Sequence, residues 1–120
     1  MVIEMLEKEF RKEVLESQKP AVVLFYMSHC PYCTEFLPKF RELFRNMGTM
    51  TAQVDISDFD SGLWNDYRIE AVPTVIAFRQ GRVCARADAI PHEGLGSEHV
   101  KEEMRNKPEC FQAISDSAKA

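Results

Sequence analysis

The sequence predicts an α/β domain, and three observations carry that prediction. The uncharged run Ala21-Val22-Val23-Leu24-Phe25-Tyr26, rich in β-branched and aromatic residues, has the character of a strand buried on both faces of a sheet. An amphipathic helix follows it closely, with Phe36, Phe40, Leu43, Phe44 and Met47 recurring at spacings of three and four. Farther along, Val75 to Phe78 and Arg82 to Ala87 flank Gly81, the pattern of an antiparallel hairpin with glycine in its turn.

The remaining elements follow in order. Met1 to Ile3 is a short edge strand or no element at all, and Glu4 to Gln18 is a helix with Leu6, Phe10 and Val14 on its inner face. Lys19-Pro20 ends that helix, because proline disfavours helical backbone in the residue before it. The central strand and its helix come next, the helix closing near Asn46-Met47-Gly48, where glycine suits a C-cap. Thr51 to Ile56 is a strand, after which Ser57 or Asp58 caps a short helix through Leu63, Trp64 and Tyr67. Trp64 is expected in the core rather than on a binding surface. Past the hairpin, Ile90 to Gly96 is a loop and Ser97 caps a final helix carrying Val100 and Met104. Pro108 interrupts it before a short helical tail with Phe111 and Ile114.

At 120 residues and 45% hydrophobic content, the chain suits one core, so residues 1–120 are expected to form a single domain. A formal charge of −4 and a pI near 5.4 argue against a nucleic-acid surface. No stretch is apolar for the length of a membrane span, and Glu4, Glu7 and Glu9 do not fit a secretory leader, so a cytoplasmic protein is expected.

Chemistry concentrates in Cys30-Pro31-Tyr32-Cys33. Two thiols separated by two residues can close and open a disulfide reversibly, and Cys30 falls where a strand ends and a helix begins. Free amide groups and partial positive charge at a helix start favour thiolate, which makes Cys30 the expected nucleophile. Cys33, a turn into the helix, is expected to be buried and protonated until it resolves a mixed disulfide. Pro31 fits the first helical turn. His29 either steadies the neighbouring thiolate when protonated or faces solvent. A zinc site using the pair with His29, Cys84, Cys110, His92 or His99 is the competing reading, although no second close pair of cysteines exists. Cys84 and Cys110 are expected as free thiols, one buried and one partly covered, with a bond between them the alternative.

A second signal is Ala71-Val72-Pro73-Thr74, immediately before the apolar run Val75-Ile76-Ala77-Phe78. Together with the dithiol, this proline makes the chain resemble the thioredoxin-like superfamily over roughly Leu6 to Lys107, with residues 108–120 as an extension. Pro38 matches the proline that kinks the active-site helix of thioredoxins, Phe78 to Arg82 the hairpin after the cis-proline strand, and Val54-Asp55-Ile56 the strand before the third helix. The resemblance implies a thioredoxin fold with a central mixed sheet of four or five strands flanked by helices. It also implies a cis bond at Pro73, whose loop, with the Val72 backbone, aligns an extended substrate peptide.

Departures accompany the matches. His29 and Pro31-Tyr32 stand where thioredoxins carry tryptophan and Gly-Pro, giving a glutaredoxin-type tetrapeptide. Met27 and Gly81-Arg82-Val83-Cys84 replace the lysine and the Gly-Gly-x-x-Asp element of glutaredoxins. Leu24 replaces the buried aspartate of thioredoxins, and Thr51 is expected at the place of its lysine partner. Taken together, the residues and the resemblance imply thiol-disulfide exchange on protein disulfides through a Cys30-Cys33 redox pair. His29, Pro31 and Tyr32 support it, Val72 and Pro73 hold substrate, and no cofactor or metal takes part. A thioredoxin reductase or a low-molecular-weight thiol would donate electrons, without nucleic-acid or membrane partners. An interaction module with a vestigial or regulatory dithiol and a glutathione-dependent glutaredoxin are the alternatives. Tyr26, Met27, Tyr32 and Val72 are the candidate peptide-contact residues.

Overall fold

In a computed structural model, which describes residues 2–46 and 50–111, five strands form one mixed sheet. They are β1 (Val2–Met5), β2 (Ala21–Tyr26), β3 (Met50–Asp55), β4 (Thr74–Arg79) and β5 (Arg82–Asp88), in the spatial order β1-β3-β2-β4-β5. The strands β1 and β2 each run parallel to β3, whereas β4 is antiparallel to both β2 and β5. Every residue of β2 is buried, as its uninterrupted apolar run requires at the centre of a sheet covered on both faces. The hairpin turns at Gln80 and Gly81, both with positive φ, and a side chain on Gly81 would meet the Leu15 carbonyl oxygen at 2.8 Å.

Side-chain alternation divides the core. Val22, Leu24 and Tyr26 face α2 (Pro31–Leu43) and α4 (Ser97–Asn106), packing with Cys33, Phe36, Phe40 and Val100. Val23 and Phe25 face the opposite layer, formed by α1 (Glu7–Phe10), its π-helical continuation Arg11–Glu16 and the short α3 (Leu63–Asp66). In that layer Phe10, Phe25, Tyr67 and Phe78 make a cluster of rings with centroids 5.4 to 6.4 Å apart, edge-on except for the stacked pair Phe25 and Tyr67.

Several boundaries differ from the sequence reading for local reasons. Because β1 takes residues through Met5, Leu6 becomes the extended cap of α1 and is 71% exposed, rather than facing inward with Phe10 and Val14. Its amide donates to Glu9 Oε1 at 3.2 Å. The following helix widens to the π form, with Ser17 N donating to Lys12 O at 3.2 Å, and keeps Phe10 and Val14 fully buried. Helix α2 carries Pro38 within it and ends at Leu43; Met47 and Gly48, expected at its close, lie outside the described residues, as does Ile114. Gly62, not Ser57 or Asp58, precedes α3, and Gly96 rather than Ser97 is the N-cap of α4. Residues 108–111 resume helix after Lys107.

The largest correction concerns Cys84 and Cys110, which are bonded to each other rather than free. Helix α4 packs against β5, and the turn after it brings Cys110 to a Cα separation of 5.7 Å from Cys84 on that strand. Phe111 is consequently buried and stacks on Phe44 beyond the end of α2.

Candidate active site

Cys30 closes the loop from β2 and is the N-cap of α2, with extended backbone (φ −101°, ψ 118°), and Pro31 occupies the first turn. Its carbonyl accepts from Thr34 N at 3.0 Å and Thr34 Oγ1 at 3.1 Å, fixing the helix start. The amide of Cys33 donates to Cys30 Sγ at 3.3 Å, one of the otherwise free amides of the first turn directed at the leading sulfur. Such a bond strengthens as negative charge gathers on that sulfur. Cys30 Sγ also lies 4.0 Å from the Val72 carbonyl oxygen.

Cys33 is wholly buried between α2 and the sheet. Burial, joined by the hydrogen bond with Cys30, pushes its thiol up to about 12; the charges of Cys30 and Asp55 add to this, and a backbone hydrogen bond with Met27 acts in the opposite direction. The two sulfurs therefore differ in access, Cys30 partly open and Cys33 buried.

The Val72-Pro73 peptide bond is cis, and Pro73 O accepts from Ala89 N at 3.1 Å. Thr74 Oγ1 donates to Ala71 O at 2.8 Å, bracing the same loop. The Val72 carbonyl, just before the cis bond to Pro73, thus stands opposite Cys30. His29 is exposed beside the nucleophile. Tyr32 is exposed at the helix start and packs on Gly94, where an added Cβ would lie 2.8 Å from the Tyr32 ring.

Two sequence expectations change here. Tyr26 is buried, so it belongs to the floor of the site and not to the contact surface assigned to it with Met27, Tyr32 and Val72. Its hydroxyl donates to Glu4 Oε1 at 3.2 Å and accepts from Gln53 Nε2 at 3.4 Å, while burial pushes its phenol up. Strand register also pairs Leu24 with Gln53 and places Thr51 beside Val22, so Gln53, not Thr51, neighbours the leucine beneath the dithiol. A register is set by the whole strand, and one residue's identity does not reveal it.

Residue reasoning missed three contacts: Gly94 beneath Tyr32, Ala89 N on the cis-proline carbonyl, and the link from Ser28 to Ser57. Only Gly94 left a signal, a glycine in a loop. As for the metal reading, Cys84 and Cys110 are bonded to each other, and the described residues contain no group of three metal-ligating side chains.

The geometry agrees with comparisons to known proteins. The family model for thioredoxin matches residues 1–101. Thioredoxin Y, chloroplastic, of Oryza sativa subsp. japonica is 36% identical over 87 residues, covering 69% of this chain and 51% of the relative. Protein disulfide-isomerase A5 of Mus musculus is 26% identical over 105 residues, covering 83% of this chain and 19% of the relative. The chain thus spans about half the length of the first of these and about a fifth of the second. Among solved structures, reduced Schistosoma mansoni thioredoxin superposes with a TM-score of 0.71 at 22% identity, covering 88% of this chain and 97% of that one, a likeness of fold. With a sheet order, a cis-proline and a dithiol at a helix start that all agree, the chain belongs to the thioredoxin family.

Proposed function

We propose that the chain is a thiol-disulfide oxidoreductase that reduces protein disulfides. The observation that carries this reading is the unequal pair: Cys30 partly open with the Cys33 amide directed at its sulfur, and Cys33 wholly buried with its proton held tightly. Cys30 thiolate attacks one substrate sulfur, forming a mixed disulfide and releasing the other substrate sulfur as thiolate. Cys33 then gives up its proton, which the released substrate thiolate can take, and attacks Cys30 Sγ. The Cys30-Cys33 bond forms as the bond from Cys30 to the substrate breaks, the substrate sulfur that was held on Cys30 leaves as thiolate and takes up a proton, and the substrate has gained two electrons. Pro73 and the Val72 backbone align the substrate opposite Cys30, with His29, Pro31 and Tyr32 shaping the nucleophile's surroundings.

The oxidised pair is returned to dithiol by a thioredoxin reductase or a low-molecular-weight thiol, and a reducing cytoplasm suits a pair that cycles in this way. Fractionation of cells carrying the tagged chain tests that placement.

Insulin reduction tests the chemistry. Wild type is expected to turn over, Cys30→Ser to lose activity by at least about a thousandfold, in the range of nucleophile removal, and Cys33→Ser to accumulate a mixed disulfide with its substrate. Equal inactivity of all three would leave a binding module, and turnover sustained only by glutathione with its reductase would make the chain a glutaredoxin.

A further inference from the structure

The loop between β3 and α3 carries a feature that thiol exchange does not use. Phe59 is 73% exposed, yet it is not loose: it stacks on Trp64 with ring centroids 5.5 Å apart and planes at 29°. Trp64 is itself anchored, donating from Nε1 to Ile56 O at 3.1 Å and Asp58 O at 3.3 Å. Ser61 N donates to Asp58 O at 3.0 Å, Asp60 N to Asp58 Oδ1 at 2.9 Å and Ser61 Oγ to Glu7 at 2.6 Å. An apolar ring held outward by so braced a loop is ready to be covered without ordering cost.

The position of the loop says what would cover it. Because β2 and β3 are parallel neighbours, the loops after them leave the same end of the sheet. They are joined there, Ile56 N donating to Tyr26 O at 2.8 Å and Ser28 N to Ser57 Oγ at 2.9 Å, two residues before Cys30. A protein bonded through sulfur to Cys30 therefore rests beside this loop. Asp58 and Asp60 flank Phe59 in the chain, both exposed, and no salt bridge among the described residues involves either. Their unneutralised charge fits a cationic surface.

Building on the proposed oxidoreductase activity, we propose that Phe59, stacked on Trp64 and flanked by Asp58 and Asp60, is a second contact for the disulfide-bearing protein, selecting substrates that present an apolar side chain among basic residues beside the disulfide. The loop adds no chemical step; it raises the occupancy of the encounter from which Cys30 attacks.

The test uses the pre-reduced chain in single turnover against three disulfides. One is a disulfide-linked peptide with phenylalanine between lysines beside its cysteine, another the same peptide with serine between glutamates, and the third bis(2-hydroxyethyl) disulfide, too small to reach the loop. Wild type is expected to reduce the basic aromatic peptide at least tenfold faster at subsaturating concentration, with the preference falling in 0.5 M salt. Phe59→Ser and Asp60→Asn are expected to cut that preference severalfold through KM, leaving the small disulfide within twofold of wild type. Equal wild-type rates for the two peptides would overturn the proposal without any variant, as would variants that slow all three disulfides alike. Failure of wild type to reduce even the small disulfide would instead overturn the oxidoreductase reading on which it rests.

Discussion

At Cys33 the consequence of burial can be read as stability. A thiol whose folded value is raised to about 12, against 9.0 for a free one, favours the folded state while it stays protonated. Its contribution is fully present below pH 9 and is lost as pH rises toward 12, because the unfolded chain ionises first. The reduced protein is therefore expected to lose stability above pH 9 with a slope approaching about 1.4 kcal/mol per pH unit from this group. Urea titrations at stepped pH check it, and Cys33→Ser removes that component. Gly94 makes a second test at the same scale: its φ is +85° and a methyl there would press on the Tyr32 ring. Gly94→Ala is expected to cost about 1–3 kcal/mol. Adding Tyr32→Ala is expected to recover the steric part and leave the backbone part, read by a double-mutant cycle of urea midpoints.

Among the elements, the turn at 108–111 depends on a covalent tether. The Cys84-Cys110 bond closes a loop with a sequence separation of 26 and seats Phe111 on Phe44. The double variant Cys84→Ser/Cys110→Ser is expected to lose about 2–4 kcal/mol of unfolding free energy. Hydrogen exchange over residues 107–111 is expected to accelerate well before that of β2. Changing both cysteines leaves Cys30 and Cys33 in place, so insulin reduction per folded molecule is expected to persist. This element was also where sequence reasoning fell short. Apolar periodicity located α2, the hairpin and α4, since each has a face to bury. Pairing of two cysteines depends on where α4 and its following turn deliver residue 110, which no local pattern encodes.

Across the whole molecule, the sheet separates two core layers, one on each face. Phe10 and its ring cluster lie on the face opposite Cys33, so Phe10→Ala is expected to cost about 3–5 kcal/mol while leaving the rate of thiol exchange by the folded fraction near wild type. Thermal unfolding with activity measured per folded molecule decides the point. The parts of the fold legible in advance were those written in contiguous residues: the buried run of β2, the Pro31 start of α2, the Gly81 turn and the Val72-Pro73 loop. What stayed hidden was relational. The register that puts Gln53 beside Leu24 and the capture of Leu6 as a cap both arise from strands far apart in sequence. In the dithiol site likewise, the reacting sulfurs announced themselves, whereas the groups that seat their neighbours did not.

One short stretch after β5 touches both walls of that site, with the Ala89 amide fastened to the cis-proline carbonyl and Gly94 serving as the seat for Tyr32. A change of length or residue there would retune grip and nucleophile together without altering either cysteine. Diversification of such chains toward new clients has, in that stretch, a place to act that leaves the chemistry itself inherited intact.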